Sequence, residues 1–283
     1  MRHHPFTSAT PGALCRWATR LGSAALAFAA LLLGGCATTA PKTASQRTGG
    51  YEASAARDMM PERPGLGTGW GEERESQTSP TRFVRSDGNH PNWTGCLYYN
   101  DEAGVKAMLA YEGGSSRRSR GLEQISGGLV SVGLRSASGG WLDGYGIGGG
   151  RRFVVGERGE RYEIVVRNDT AARLEVVLSV DGLDVMDGRG ASFGKRGYII
   201  AAGDTITIDG FRTSSATVAA FRFSSVSRSY AALRHGDTRN VGVIGIAVFT
   251  ERYAEPWRFR DREPQRRRDA NPFPGRRWAV PPT

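Results

Sequence analysis

The sequence predicts a mainly β protein: an antiparallel β-sandwich, Ig-like or jelly-roll-like, with a disordered N-terminal tether and a disordered C-terminal tail. Apolar and polar residues alternate with period two along several segments between 162 and 223, which is typical of half-buried strands. Turn-forming pairs such as Asp181-Gly182 and Asp209-Gly210 separate these segments. The segment 241–249 is almost continuously apolar, as in a central strand that is buried on both faces.

The composition excludes several classes of protein. The chain has 283 residues, including 39 Gly and 3 Cys, and its net charge is +10. Three cysteines are too few for a disulfide scaffold, and the glycines lack the period of collagen. The longest apolar run, 21–33, is shorter than the roughly 20 residues that a membrane-spanning helix needs, which excludes a polytopic membrane protein.

The N-terminal segment 1–35 has the pattern of a secretory signal peptide, with arginines before an apolar run and small residues after it. Its end, Leu33-Gly34-Gly35-Cys36, resembles the lipobox of bacterial lipoproteins. The resemblance implies cleavage before Cys36, lipidation of the Cys36 thiol, and attachment of the mature chain to a membrane. Ala37 stands where an Asp retains many such proteins in the inner membrane. The expected location is therefore the cell envelope, as an outer-membrane lipoprotein that faces the periplasm or the cell surface.

The cysteines are then assigned one by one. Cys15 leaves with the signal peptide and Cys36 carries the lipid, so only Cys96 keeps a free thiol. The mature chain can form no internal disulfide, even in an oxidising compartment. We expect Cys96 to be a small buried apolar residue, with a reactive thiol as the alternative.

Two segments precede the predicted sandwich. Residues 36–80 lack hydrophobic periodicity, so they predict a flexible tether after the lipidated cysteine. Residues 81–150 predict a small Gly-rich ordered region that packs on the main domain. Its expected elements are short strands at 83–84, 93 and 97–99, a helix over 101–111 that starts at Asp101, and one edge strand at 129–134, with loops elsewhere.

The segment 151–251 is predicted to be the β-sandwich domain. The expected strands lie near 151–155, 162–166, 174–180, 198–200, 206–208, 221–223 and 241–249. A helical turn is expected over 229–233.

Part of this domain is similar to an uncharacterised group of bacterial secreted proteins. The likeness covers about 145–251 and is carried by the stretches 179–185, 196–198, 210–212, 219–223 and 240–248. It implies a defined domain and transfers no mechanism.

The tail 252–283 is rich in Arg and Pro and is predicted to be disordered, since it holds too few apolar residues to fold alone. Its positive charge suits an anionic surface, such as lipid phosphates or cell-wall acids, although a solvated tail without a ligand is the simpler interpretation. An extracytoplasmic location argues against a nucleic-acid partner.

Three motifs suggest chemistry. Gly190-Ala-Ser-Phe-Gly194 matches the G-x-S-x-G pattern of serine hydrolases, with Ser192 as nucleophile and His235 as base. A glycine-rich hairpin loop is the favoured interpretation, because a strand and no helix is predicted after the motif. The segment 144–149 matches G-x-G-x-x-G, but a strand rather than a helix is predicted after it. Asp181, Asp184 and Asp187 are candidate calcium ligands, although their spacing fails the EF-hand template.

We therefore expect a non-enzymatic, lipid-anchored cell-envelope protein that acts as an interaction or structural module without a cofactor. Its expected partner, beyond the membrane itself, is another envelope protein or an anionic envelope polymer. A serine hydrolase using Ser192 and His235 and a calcium-stabilised adhesive module are the alternatives.

Overall fold

The structure is a computed structural model that describes residues 63–148, 150–256 and Arg267. The described residues from Pro64 onward belong to one compact unit. The predicted signal peptide 1–35, Cys36 and almost all of the predicted tail lie outside the described residues. Within the described part of the chain, no helix is long and apolar enough to cross a membrane.

The described residues form fifteen β-strands and one α-helix. They are β1 (Leu66–Glu75), β2 (Trp93–Asn100), α1 (Glu102–Glu112), β3 (Ser116–Arg120), β4 (Glu123–Ile125), β5 (Val130–Ser136), β6 (Asp143–Ile147), β7 (Arg151–Val155), β8 (Tyr162–Asn168), β9 (Leu174–Val180), β10 (Leu183–Asp184), β11 (Tyr198–Ile200), β12 (Thr205–Ile208), β13 (Gly210–Arg212), β14 (Thr217–Ser225) and β15 (Val243–Thr250). The prediction of a mainly β fold is confirmed.

The strands make three sheets, and all pairs are antiparallel except β2 with β7. An eight-stranded sheet has the order β10-β9-β15-β2-β7-β6-β3, with β11 also paired to β9. A four-stranded sheet has the order β12-β8-β5-β4, and a three-stranded sheet the order β1-β14-β13. The predicted antiparallel arrangement is therefore confirmed.

One buried apolar cluster joins the sheets. It includes Leu97 from the eight-stranded sheet, Ile164 from the four-stranded sheet and Phe221 from the three-stranded sheet, all without exposed surface. The ring of Tyr162 stacks on that of Phe223 at a centroid distance of 4.3 Å. Such aromatic pairs contribute about 0.5–1.5 kcal/mol beyond the area that they bury.

Strand β15 lies in the interior of its sheet, between β9 and β2, as its apolar sequence predicts. The alternation predicted for β9 is wrong in one respect, because all seven of its residues are buried. Glu175 on its outer face is covered by Arg85, whose Nε lies 2.7 Å from the carboxylate. The Arg85 guanidinium also lies 3.7 Å from the ring centroid of Phe249. Residues 83–84, predicted as a strand, are instead an irregular segment that brings Arg85 over this face.

The prediction of a flexible tether over 36–80 is wrong for residues 66–75, which form β1 and pair with β14. The sequence of β1 shows no clear strand pattern, because a register shift between Trp70 and Glu73 breaks the period-two alternation of apolar and polar residues. Glu72 lies beside Arg161 and Arg222, and hydrogen bonding by Arg222 is the main reason that its pKa falls to about 2. The charged residues of β1 thus give it a composition like that of a solvated linker.

The region 113–150 is more ordered than predicted. Strands β3, β4 and β6 occupy segments expected to be loops, and β5 is not an edge strand because it lies between β8 and β4. Strand β3 reads Ser-Arg-Arg-Ser-Arg and carries no apolar signal, since it ends the sheet and four of its five residues are exposed. Strands from 81–150 and 151–251 share sheets, so the fold is not divided at residue 150.

Helix α1 forms where predicted. The Asp101 side chain accepts a hydrogen bond of 2.7 Å from the Gly104 amide and caps the helix, which ends before Gly113 at φ 67°. The helical turn expected over 229–233 is a π-helical turn at Ala231–His235.

A buried carboxylate joins three distant parts of the chain. Asp181 follows β9 at φ 55°, and its carboxylate accepts hydrogen bonds from the Thr68 amide (2.7 Å), the Tyr99 hydroxyl (2.5 Å) and the Gly242 amide (2.9 Å). The Thr68 hydroxyl in turn lies 2.6 Å from that of Tyr162. Burial, followed by the charge of Asp181, raises the pKa of Tyr99 well above its ordinary value, so its hydroxyl stays a donor.

We expect Asp181→Asn to reduce the free energy of unfolding by about 2–4 kcal/mol, because an amide group would then face donors in a buried site. Asn tolerates the positive φ, so the backbone cost is small. Denaturant unfolding of the full chain measures this loss. Asp187→Asn, at an exposed acid in the turn after β10, is the control and should cost less than about 1 kcal/mol. Equal losses in both variants would contradict the assignment.

Candidate functional site

The carboxylates of the three aspartates proposed as calcium ligands each contact different groups of the protein. The Asp181 carboxylate is used by the buried network, and Asp187 lies beside Lys195 and accepts from the Arg189 amide. Asp184 is fully buried, and its Oδ1 accepts a hydrogen bond of 2.9 Å from the Met186 amide. Among the described residues, no group of three or more His, Cys, Asp or Glu side chains is arranged to hold a metal ion. The geometry therefore gives the calcium hypothesis no support.

Asp184 has an unusual electrostatic environment. Its Oδ2 is buried without a hydrogen-bond partner among the described residues. Burial raises the pKa of Asp184 to about 6, from 3.8, and the nearby charge of Asp187 adds to the rise. Between pH 4 and 6 the folded state therefore holds a proton that the unfolded state releases, so this group lowers stability as the pH rises through that window.

We expect Asp184→Asn to match the wild type in stability near pH 4 and to exceed it by roughly 1–2 kcal/mol at pH 7.5, since asparagine resembles the protonated acid. Denaturant unfolding at both pH values measures the difference. Asp237→Asn should show no such gain, because the hydrogen bond from Arg239 lowers the pKa of Asp237. A variant that is equally destabilised at both pH values would contradict the prediction.

The structure does not pair Ser192 with His235. Ser192 is exposed on a turn, and its carbonyl accepts a hydrogen bond from the Lys195 amide. The Nε2 of His235 lies 3.0 Å from the carbonyl oxygen of Gly188, and its ring packs edge-on against Tyr230. The next regular element after the motif is β11, a strand, whereas a nucleophile elbow leads into a helix.

We expect the wild-type protein to give no labelling with a fluorophosphonate probe, because none of the described residues places a base against Ser192 to activate it. Gel fluorescence after exposure to the probe measures this, with an active serine hydrolase as the positive reference. Labelling that Ser192→Ala abolishes would establish the hydrolase instead.

The other two sequence candidates lie in the eight-stranded sheet, on β2 and β6, which β7 separates. Cys96 is half-buried in β2. Residues 144–148 of the G-x-G-x-x-G segment lie in β6 and the start of the turn after it, and the next described element is strand β7. A dinucleotide-binding turn would lead into a helix instead.

This turn forms one wall of a cleft, which we call the arginine cleft. It has a volume of about 320 Å³ and lies where β4 of the four-stranded sheet meets the end of the eight-stranded sheet. Its lining includes Ser115, Arg117, Glu123, Gln124, Arg151 and Arg152, together with backbone of the β6–β7 turn.

Arg152 is the rigid group of the arginine cleft. It is 3% exposed, and its guanidinium donates to the carbonyl oxygens of Val132 (2.5 Å) and Gly121 (2.6 Å). Its Nε is buried and has no hydrogen-bond partner among the described residues. Burial lowers the pKa of Arg152, although an arginine keeps its charge at neutral pH.

A single carboxylate serves two of the three arginines. Glu123 lies 2.7 Å from Arg117 and 3.9 Å from the Nε of Arg152. Burial alone would raise the pKa of Glu123, but the nearby Ser119 hydroxyl, the hydrogen bond from Arg117 and the charge of Arg152 outweigh burial and lower it. Arg151 forms an ion pair with Glu112 at the end of α1, outside the cleft lining. The lining itself therefore holds three positive charges and one negative charge.

Sequence reasoning missed the arginine cleft. It assigned the excess positive charge to the tail and expected loops where β3, β4 and β6 form. The available signal was the run Arg117-Arg118-Ser119-Arg120, which has three arginines within a Gly- and Ser-rich segment.

The comparisons with known proteins give no relative, since no family model, no curated protein and no solved structure matches the chain. The function proposed next therefore rests on the residues of this chain alone.

Proposed function

We propose that this protein is a lipid-anchored binding module of the bacterial cell envelope that works without catalysis. The observation that carries the proposal is Cys36, which directly follows an apolar run with the lipobox pattern Leu-Gly-Gly-Cys. Several acyl chains, each contributing about 0.8 kcal/mol per buried methylene, hold a protein stably at a membrane where one chain does not.

The described domain supports a binding role. Its mainly β framework has a charged cleft at a sheet junction, where ligands are commonly held by a few fixed polar groups. Ser192 and His235 have separate partners, which favours binding over acyl transfer. An anionic envelope polymer suits the charge of the arginine cleft better than a neutral partner does.

We expect the wild-type chain, expressed in a bacterial host that is fed an alkyne-bearing palmitate, to become labelled and to sediment with membranes. Cys36→Ser should lose both the label and the membrane association, because the acylated thiol is gone. Click fluorescence and fractionation measure the two effects.

The chain offers two matched controls, Cys15→Ser and Cys96→Ser, which should both keep the label. Cys15 leaves with the signal peptide, and Cys96 belongs to the folded domain. A Cys36→Ser protein that is labelled like the wild type and stays with the membrane would overturn the proposed function.

A further inference from the structure

We propose that the arginine cleft binds an oxyanion, a phosphate or carboxylate group carried by an anionic ligand. The inference deepens the proposed function, on which it rests for the location of the ligand. The volume of about 320 Å³ lies near the lower limit for small-molecule sites, so the part of the ligand held there is one small group.

The charge of the cleft favours an anion. Arg117, Arg151 and Arg152 line it against a single lining carboxylate, Glu123. Glu112 pairs with Arg151 from outside the lining, so the three arginines and two carboxylates keep one net positive charge. Guanidinium groups present paired donors that match the oxygens of carboxylate and phosphate, which makes arginine the usual residue for such groups.

Arg152 supplies a preformed positive centre. Two backbone carbonyls fix its guanidinium, so it loses little conformational freedom when a ligand arrives. Its buried Nε has no hydrogen-bond partner among the described residues and lies 3.9 Å from the carboxylate of Glu123, which lines the cleft. A buried donor without a partner is costly, and an approaching oxyanion would relieve that cost.

Glu123 shows where an oxyanion would lie, because its own carboxylate is already held near two arginines. Its partner Arg117 has a side chain that is 73% exposed and is therefore free to reorient towards a ligand. A ligand oxyanion would compete with Glu123 for Arg117. Removing the Glu123 charge should consequently strengthen ligand binding, an effect that a purely structural ion pair would not produce.

Gly146 of β6 pairs with Arg117 of β3 and leaves this part of the cleft lining without a side chain. A Cβ atom added at Gly146 would lie 3.8 Å from the Glu123 carboxylate and 4.0 Å from the Arg117 guanidinium, which are ordinary contact distances. A larger side chain at Gly146 would therefore fill the cleft without changing its charge. Valine suits this position because it favours strands.

The test measures binding to the full chain, purified in an uncharged detergent, by isothermal titration with glucose 6-phosphate, glucuronate and neutral glucose. We expect saturable binding of at least one of the charged sugars and none of glucose. Binding of the phosphate alone, the carboxylate alone, or both supports the proposal and identifies the group. Absence of saturable binding, or equal binding of glucose, would overturn it.

The variants locate the site. Arg117→Gln should weaken binding by about tenfold, since a charge-assisted hydrogen bond contributes roughly 1.4 kcal/mol or more. Arg118→Gln is the matched control, because Arg118 is the next residue of β3, is 71% exposed, pairs with Asp143 and does not line the cleft. Its effect should stay within about twofold. Equal weakening by both variants would show nonspecific attraction and overturn the site.

Two further variants test the geometry. Glu123→Gln should tighten binding severalfold, and Gly146→Val should abolish it. Gly140→Val is the steric control, because a Cβ at this exposed position meets no atom within 4 Å. Thermal unfolding checks that each variant is folded, and the two arginine variants decide the question if Gly146→Val does not fold. Unchanged binding in a folded Gly146→Val protein would overturn the proposal, whatever the outcome of the Cys36 labelling.

Discussion

The buried carboxylate of Asp181 is the constraint on which the arrangement of the sheets depends. It binds groups that lie 113, 82 and 61 residues away in the chain, on β1, on β2 and just before β15. A buried anion is stable only when hydrogen bonds replace its lost hydration. The three segments must therefore meet at this point. The positive φ of Asp181 turns the chain so that the side chain reaches them.

Arg152 is a buried cation, and it too needs hydrogen bonds that replace its lost hydration. Its charge is buried between strands of two sheets and is stabilised mainly by backbone carbonyl oxygens. Because these acceptors are neutral, the positive charge is solvated but not cancelled. Arg152 thus helps to hold the two sheets together, and its charge also makes the electrostatic potential in the neighbouring cleft more positive.

Local patterns predicted the strands that face the common core. Strands β8, β9 and β15 alternate or are wholly apolar because each contributes to that core, and α1 carries its own capping residue, Asp101. Strands β1, β3 and β6 escaped prediction because their pairing, and not their apolar surface, orders them. The edge strands β1 and β3 expose charged side chains, and β6, which lies between β7 and β3, has Gly at two of its five positions. Both compositions resemble those of linkers.

The sequence by itself determined the mainly β class and the interior position of β15, because hydrophobic periodicity records which residues leave water. Tertiary structure alone decided which charges meet. Arg117, Glu123 and Arg152 lie on three different strands, and only the junction of two sheets brings them to one cleft. Likewise Asp181, a candidate metal ligand in the sequence, is a buried acceptor for protein donors, because the register of the distant strands places their N–H and O–H groups around it.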